Sequence, residues 1–199
     1  MASQDQINPS SAPDEPETFL QQEGCYVALT TSPLNLQSVT DRVRSPQAGA
    51  IVLFAGTTRD NFAGQPVKQL EYTAYEPLAL RTMMTIASSL RAKHDLRGLA
   101  MVHRLGVVPI GEESILIAVS APHRQAAWRA GEEALEECKE RVEVWKKEEF
   151  AHGGGVWRAN RDGKRGQREG ESREGGEGVG KGDGNGSSEG QGTEVDGQT

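Results

Sequence analysis

The sequence lacks most of the features that mark secreted, membrane-spanning and metal-binding proteins. It has two cysteines in 199 residues, Cys25 and Cys138, and no basic segment followed by an apolar run near its start, so we predict reduced thiols rather than disulfides. No apolar run approaches the roughly 20 residues that a transmembrane helix needs. The four histidines stand at none of the usual zinc-ligand spacings from one another or from a cysteine. We therefore expect a cytosolic protein that makes no membrane contact and needs neither a metal nor a cofactor.

Large apolar side chains are also scarce at both ends of the chain. Residues 1–20 are rich in Pro, Ser, Asp and Glu, and residues 161–199 are rich in Gly, Glu, Ser, Lys and Arg. Neither segment can bury enough apolar surface to offset the entropy of ordering. The sequence therefore predicts a disordered leader over 1–20, a folded domain over 21–160 and a disordered tail over 161–199.

The predicted folded domain has little net charge. The leader carries four acids and no bases, and the tail carries nine acids and six bases, which together account for the net charge of −7. A neutral domain has no positive field for wrapping nucleic acid, so we expect no nucleic-acid partner. An anion-binding site in this domain has to be a local cluster of basic residues.

Hydrophobic periodicity predicts an α+β fold. The predicted strands cover residues 25–31, 49–55, 68–75, 99–108, 114–120, 144–150 and 156–158, and the predicted helices cover 35–44, 77–93 and a long segment that begins near 122–124. We expect 49–75 to form two strands joined by the polar loop 56–64, and the last two strands to lie at sheet edges. The order of elements favours a two-layer fold with a mainly antiparallel sheet.

Basic residues that could bind an anion stand at three places. These are Arg59 in the loop after a buried strand, His123 and Arg124 at the start of the long helix, and Lys139 with Lys146 and Lys147 near its end. Each has an ordinary alternative: Arg59 could solvate its loop, and Lys139 and Lys147 could be surface charges that pair with neighbouring glutamates. Taken singly, none of them establishes a site.

The start of the long helix is the most favourable of the three places for an anion. The first turn of a helix exposes unpaired backbone N–H groups at the positive end of the dipole. A bound phosphate there would offset the unfavourable position of the Arg124 cation. A capping His123 beside a solvated Arg124 is an equally open alternative.

Helix length limits how these residues can cooperate. Arg124 and Lys139 are fifteen residues apart on one predicted helix, or about 22 Å at 1.5 Å per residue. They cannot both touch one small ligand within a single subunit. If both bind substrate, the pocket lies between two copies of the chain related by two-fold symmetry, and we therefore predict a homodimeric core.

Cys138 lies on the apolar stripe of the long helix. A cysteine can act as a nucleophile and carry a persulfide, but a buried free thiol usually behaves as a small hydrophobic group. We therefore predict a core role for Cys138.

Four segments together resemble the large subunit of molybdopterin synthase, of the eukaryotic type, in the same order and spacing. They are FAGTTRDNFAG (54–64), LEYTAYEPLA (70–79), HRLGVVPIGEESILIAVSAPHRQAAW (103–128) and LEECKERVEVWKKEEF (135–150). The resemblance covers essentially all of 45–150, so the catalytic domain of that family falls within the predicted folded domain. Residues before His123 and Trp145 depart from the family pattern at Pro122, Glu143 and Val144.

The resemblance implies an α/β hammerhead fold and a sulfurtransferase of molybdenum cofactor biosynthesis. In this family, two large subunits form a central dimer flanked by two small ubiquitin-like subunits, which gives a heterotetramer. Each small subunit ends in Gly-Gly and carries its sulfur as a C-terminal thiocarboxylate. The substrate is a pterin phosphate, cyclic pyranopterin monophosphate or precursor Z, which two sulfur transfers convert to a dithiolene.

The resemblance also assigns roles to individual residues. The family's two catalytic lysines fall on Lys139 and Lys146, and we expect both to be catalytic. Its pterin- and phosphate-binding groups fall on His123, Arg124, Lys139, Lys146, Lys147, Glu148 and Arg59. A lysine can stabilise an anionic tetrahedral centre, and arginine is a planar fork for phosphate. We expect Lys139, Lys146 and Lys147 to crowd together.

Two other classes of function are weighed against this one. A dimeric scaffold that docks a ubiquitin-like partner without chemistry would be indicated by loss of Lys139 or Lys146, and both are present. A metal-dependent phosphate-ester enzyme would need a cluster of carboxylates, whereas the acids here are mostly spread along helix faces. The resemblance favours the sulfurtransferase.

Overall fold

The computed structural model describes residues 17–159 and 167–168, which form two β-sheets and three helices. The helices are α1 (Leu36–Asp41), α2 (Glu76–Lys93) and α3 (Arg124–Arg141). The strands are β1 (Thr18–Gln22), β2 (Cys25–Thr30), β3 (Ala50–Thr57), β4 (Asn61–Phe62), β5 (Gln65–Ala74), β6 (Gly98–Arg104), β7 (Gly106–Pro109), β8 (Glu113–Ala121), β9 (Val144–Phe150), β10 (Gly155–Ala159) and β11 (Gln167–Arg168). Within these segments, no helix is both long enough and apolar enough to cross a bilayer.

The first sheet forms the centre of the domain and has the strand order β1-β2-β6-β8-β3. It is antiparallel except for the parallel pair β2–β6. Its inner strands β6 and β8 are almost wholly buried, which agrees with their continuous apolar sequences. Helices α2 and α3 cover one face, and α1 with a smaller apolar cluster lies on the other.

The two long helices pack on the sheet through different kinds of residue. Helix α2 begins with Pro77 in its first turn and buries large side chains such as Leu80 and Met83. Helix α3 buries small residues, among them Ala127 and Gly131, so its backbone lies close to the sheet. A Cβ atom on Gly131 would lie 3.5 Å from Val52 Cγ1, which is ordinary contact distance.

The second sheet is built around β5 and β9, which pair antiparallel. Strands β4 and β7 also pair with β5, β10 pairs with β9, and β11 pairs with β10. The β4–β5 turn consists of Ala63 and Gly64, both with positive φ (49° and 79°), as expected for a two-residue hairpin.

The predicted α+β class with mainly antiparallel pairing is confirmed, but the predicted hairpin over 49–75 is wrong. Strand β3 pairs with β8 in the first sheet, whereas β5 lies in the second. The physical reason is burial, because β3 is apolar on both faces and joins the core sheet, while β5 alternates and suits a half-exposed one.

Two other strand predictions need correction. The predicted strand 99–108 divides at Leu105, where Gly106 with φ 74° turns the chain from β6 in the first sheet to β7 in the second. The last two strands were expected at sheet edges, but β9 lies between β5 and β10, and β10 pairs with β11.

The boundaries of the predicted tails also change where the structure describes them. Strand β1 includes residues 18–20, which we had assigned to the leader, because its backbone pairs with β2 and Phe19 stacks on Tyr26 at 5.6 Å between ring centroids. Strand β11 lies in the predicted tail and pairs with β10. The remaining predictions of disorder, for 1–16, 161–166 and 169–199, lie outside the described residues.

Candidate active site

Strand β9 carries three of the predicted site residues, Lys146, Lys147 and Glu148. Because side chains alternate between the two faces of a strand, these residues do not all lie on the same face. The pairing of β9 with both neighbours is regular from Trp145 to Glu149, so successive side chains point to opposite faces. Lys146 and Glu148 share a face with the buried Val144, whereas Lys147 lies on the other. The expected crowding of three lysines is therefore wrong for Lys147.

Glu148 is the buried acid of this cluster, with its side chain 3% exposed. Arg158 on the neighbouring strand places its Nε atom 3.4 Å from Glu148 Oε2. Burial raises the pKa of the Glu148 carboxyl, while the charges of Arg158, Lys146 and Arg59 act in the opposite direction. Arg158 thus pairs with this carboxylate on the inner face of the second sheet, and the charges of Lys146 and Arg59 also act on it.

Arg158 was missed in the sequence analysis. Its guanidinium carbon lies 4.4 Å from the centroid of the Phe62 ring and its Nε lies beside Glu148, so the side chain is held from two sides. The alternation of Val156, Trp157 and Arg158 was the available signal, but it could not identify Glu148 as the partner without the register of β9 and β10.

Lys147 lies on the opposite face of β9, near an aromatic side chain. Its Nζ atom is 5.8 Å from the centroid of the Trp157 ring on β10. A Cβ atom on Gly155 would lie 2.6 Å from Lys147 Cε, so the glycine leaves room for the lysine stem. The structure does not bring Lys147 to the same place as Lys146 and Glu148.

Arg59 lies in the loop that follows β3, and its side chain is exposed. The preceding residue, Thr58, is buried and anchors the loop: its N–H donates to the Glu112 carbonyl at 3.0 Å and its hydroxyl donates to the Val108 carbonyl at 3.3 Å. The loop position of Arg59 is therefore fixed close to the charge of Glu148.

His123 and Arg124 lie at the start of α3, as predicted. His123 is the N-cap residue, with extended backbone (φ −133°, ψ 146°), and its side chain makes no capping hydrogen bond. Both side chains are exposed. The N–H groups in the first turn of α3 therefore receive no capping hydrogen bond from the His123 side chain. This end of the helix is suited to binding an anion.

Lys139 lies in the last turn of the same helix. Its Nζ atom is 3.7 Å from Glu136 Oε1, and its side chain is 29% exposed. Since Arg124 and Lys139 are both in α3, the predicted separation of about 22 Å applies within one subunit.

Helix α3 runs along β3 in the same direction. The two elements start side by side, because the Gly49 N–H donates to the Ala121 carbonyl at 3.0 Å. Midway along, Gly131 lies over Val52. The last turn, with Lys139, therefore lies toward the C-terminal end of β3.

The site residues consequently fall into two groups at opposite ends of the domain. One group, which we call the strand cluster, consists of Arg59, Lys146, Glu148 and Arg158, with Lys139 toward the same end. The other, the helix-start pair, consists of His123 and Arg124. One small ligand cannot touch both groups in a single subunit.

Cys138 is buried, 1% exposed, as predicted. Burial raises the pKa of its thiol to about 12, and the nearby charge of Lys139 only partly opposes this. A neutral, enclosed thiol is a poor nucleophile, which agrees with a core role.

The family model described as MoaE protein matches residues 29–141. A curated relative from Neurospora crassa, named molybdopterin synthase catalytic subunit, is 69% identical over 168 residues, which cover 84% of this chain and 81% of the relative. A relative of the same name from Pyricularia oryzae is 64% identical over 163 residues, covering 82% of this chain and 89% of that one.

A solved structure is also similar to this chain. Molybdopterin synthase from Staphylococcus aureus is 34% identical, with a TM-score of 0.62, and the match covers 65% of this chain and 94% of that one.

Proposed function

The chain belongs to the MoaE family and is a molybdopterin synthase catalytic subunit, a sulfurtransferase of molybdenum cofactor biosynthesis; from this premise we propose its substrate, sulfur donor and site. The substrate is cyclic pyranopterin monophosphate, and the donor is the thiocarboxylated Gly-Gly end of a small ubiquitin-like subunit. The product is the molybdopterin dithiolene.

The observation that carries the proposal is the strand cluster. Arg158 pairs with the buried Glu148, and the charges of Lys146 and Arg59 also act on it, which gathers three cations at one end of the domain. A buried carboxylate fixes cations that would otherwise repel one another, so the cluster is ready to receive an anion. A thiocarboxylate and a cyclic phosphate are both anions of the kind that such a cluster attracts.

Lys139 and Lys146 are the catalytic residues in this proposal. Each transfer forms a carbon–sulfur bond on the pterin side chain and breaks a carbon–oxygen bond there, whose oxygen leaves as water or stays on the phosphate. Water then breaks the acyl carbon–sulfur bond to the tail and supplies the oxygen of the resulting carboxylate. Attack at the acyl carbon passes through an anionic tetrahedral centre. A lysine ammonium beside that centre stabilises its charge and can supply a proton.

The other site residues bind the substrate. Arg59, His123 and Arg124 hold the phosphate, with arginine as a planar fork. Glu148 and Arg158 are positioning residues that act on Lys146 and Arg59. Lys147 binds substrate from the outer face of β9, near Trp157.

The proposed assembly is a heterotetramer in the cytosol, with a central dimer of this chain and one small subunit on each copy. The separation of the helix-start pair from the strand cluster supports the dimer, because a second copy can supply the missing half of the pocket.

Sulfur transfer by the purified full chain is the direct test. The chain is mixed with the pterin phosphate and a thiocarboxylated small subunit, and dithiolene product is compared among wild type, Lys139→Ala and Arg141→Ala. Arg141 is a matched control because it lies in the same helical turn and pairs with Glu137. We expect product from wild type and from Arg141→Ala, and at least a tenfold loss for Lys139→Ala, about 1.4 kcal/mol of transition-state stabilisation.

A dimeric scaffold that docks the small subunit without chemistry is the alternative. It predicts that a wild-type dimer binds the thiocarboxylated subunit and the pterin phosphate but forms no dithiolene. That outcome would contradict the proposed sulfur transfer and would support a docking function for this chain.

A further inference from the structure

Arg104 is a buried charge to which the proposed function assigns no role. It is the last residue of β6 and is 8% exposed. Its Nη1 atom donates to Glu112 Oε2 at 2.6 Å, and its Nε atom is enclosed with no hydrogen-bond partner in the part of the chain that the structure describes. Because burying a guanidinium costs free energy, the contact with Glu112 needs an explanation.

The alternation of β6 places Arg104 on the face of the first sheet that lies away from the strand cluster. The preceding residue, His103, contacts Tyr72 of the second sheet, so Arg104 points to the opposite face, with Val102 and α1. Arg104 therefore reaches the strand cluster through another residue, and its ion pair identifies that residue as Glu112.

Glu112 belongs to the turn that holds the Arg59 loop. Its carbonyl accepts the Thr58 N–H at 3.0 Å, and the Thr58 carbonyl accepts the Gly111 N–H at 2.9 Å. The turn itself is closed by the Glu112 N–H, which donates to the Pro109 carbonyl at 3.2 Å. Two backbone hydrogen bonds thus join this turn to Thr58, the residue directly before Arg59.

We propose that Arg104 is a positioning residue for Arg59, because its ion pair with Glu112 fixes the turn that holds the Arg59 loop. The inference rests on the proposed function, in which Arg59 binds the phosphate of the substrate. Arg104 itself touches no substrate. Its ion pair limits the positions of the Arg59 guanidinium before the phosphate arrives, and so reduces the entropy lost on binding.

The two partners of the ion pair differ in exposure, which decides how the pair can be removed. The side chain of Arg104 is 10% exposed and that of Glu112 is 46% exposed. Loss of the arginine leaves a carboxylate that water can solvate, whereas loss of the glutamate would leave a buried cation without a partner. Arg104→Gln is therefore the variant that breaks the pair and should still fold.

Arg97 provides a matched control at the other end of β6. It directly precedes the strand, pairs with Asp95 at 2.9 Å, and also has an enclosed Nε atom without a hydrogen-bond partner among the described residues. Strands β6 and β3 both pair antiparallel with β8, so they run in the same direction and the Arg59 loop lies at the Arg104 end. Arg97→Gln should therefore lose an ion pair without moving Arg59.

Steady-state sulfur transfer by the full chain is the first measurement, with the thiocarboxylated small subunit saturating and the pterin phosphate varied. We expect Arg104→Gln to raise the KM for the pterin phosphate about tenfold while kcat falls less than about twofold. Arg104→Lys, which keeps the charge, should recover part of this loss, and Arg97→Gln should match wild type. An unchanged KM in folded Arg104→Gln would overturn the inference.

A double-mutant cycle shows whether Arg104 acts through Arg59. Added to Arg59→Ala, Arg104→Gln should raise the KM by less than about twofold more, because the guanidinium that it positions is already gone. An equal rise in both backgrounds would mean that Arg104 affects substrate binding by another route, and would contradict the positioning role.

Amide hydrogen exchange tests the same contacts without turnover. Arg104→Gln should speed exchange of the Thr58 and Gly111 N–H groups by at least about fivefold, whereas Arg97→Gln should not. Unchanged exchange in the folded variant would overturn the inference. If Arg104→Gln does not fold, Glu112→Gln takes its place in both experiments, because its amide oxygen still accepts from Arg104 while the ion pair is lost.

The results separate this inference from the proposed function. A wild-type protein that forms no dithiolene, or a normal KM in Arg59→Ala, would count against the proposed function and, with it, the role of Arg104 in substrate binding. A raised KM in Arg59→Ala together with a normal KM in Arg104→Gln would overturn the inference alone.

Discussion

Tyr72 and His103 join the two sheets through an edge-to-face ring contact, with 4.9 Å between ring centroids. Tyr72 is on β5 of the second sheet, opposite Lys146, and His103 is on β6 of the first. His103 is 1% exposed, and its Nδ1 lies 2.8 Å from the Arg104 carbonyl oxygen. This contact places a titratable ring at the junction that supports the strand cluster.

Acid should destabilise the protein through His103. Burial lowers the pKa of His103 from 6.5 to about 4, so between these values the unfolded chain binds a proton that the folded chain does not. The free energy of unfolding therefore falls as the pH falls from about 6.5 toward 4, by about 2 kcal/mol at pH 5. Urea unfolding at pH 7, 6 and 5 measures this loss.

The control for this experiment is His103→Gln, which should show a flatter pH dependence over the same interval. Glu148 contributes with the opposite sign, because the raised pKa of its carboxyl gives stability at low pH that is lost as the pH rises. A wild-type slope equal to that of His103→Gln would contradict the assignment.

Glu148→Gln should reduce sulfur transfer and also lower stability. The substitution keeps the shape of the side chain but removes the charge that compensates Arg158, Lys146 and Arg59. Loss of one partner of a buried ion pair leaves the other charge uncompensated, so the melting temperature should fall. We expect about a tenfold loss of kcat/KM, or about 1.4 kcal/mol.

Glu149→Gln is the matched control, since Glu149 is the next residue of β9 and lies on the other face, with Lys68 and Gln69 as its partners. Equal loss of activity in the two variants would indicate a general effect on β9 rather than a role of the strand cluster.

A composite pocket predicts complementation between inactive variants. In a mixed dimer of Arg59→Ala and Arg124→Ala subunits, one pocket carries both changes and the other carries neither. Random reassociation at equal amounts should therefore restore about a quarter of wild-type activity, although each variant alone has little. Activity that stays at the level of the separate variants would mean that each subunit contains its own complete pocket.

Cys138→Ala should retain sulfur transfer. The native thiol is enclosed and its pKa is raised to about 12, so it neither carries sulfur nor reacts readily with alkylating reagents. We expect normal kcat/KM and a loss of stability of about 1 kcal/mol from the small cavity. Loss of activity by the folded variant, or rapid alkylation of native Cys138, would restore the persulfide hypothesis.

The elements with long apolar patterns were predictable from the sequence. The periodic side chains of α2 and the continuous apolar run of β8 each fix an element type because few alternatives bury them. The pairing partners of the strands were harder to predict. Strands β3 and β5 are close in the chain but belong to different sheets, because adjacency in sequence does not specify pairing.

The residues of the candidate site were also only partly predictable from the sequence. Resemblance to the family indicated Lys146 and Glu148, and the two-residue period of a strand was enough to separate Lys147 from them. Arg158 could not be found this way, because its role depends on the cross-strand register that places it beside Glu148. The burial of His103 likewise depends on the second sheet that covers it.

The pairing of β5 with β9 also has a consequence for folding kinetics. It joins residues far apart in the chain, such as Leu70 with Glu148, and the loop between them must close before the pair forms. During synthesis, the first sheet can assemble once β8 has left the ribosome, whereas the strand cluster has to wait for β9 and β10. The part of the molecule that binds the substrate is thus the last to be completed, and a nascent chain that stalls before residue 144 has the first sheet but lacks Lys146, Glu148 and Arg158 of the strand cluster.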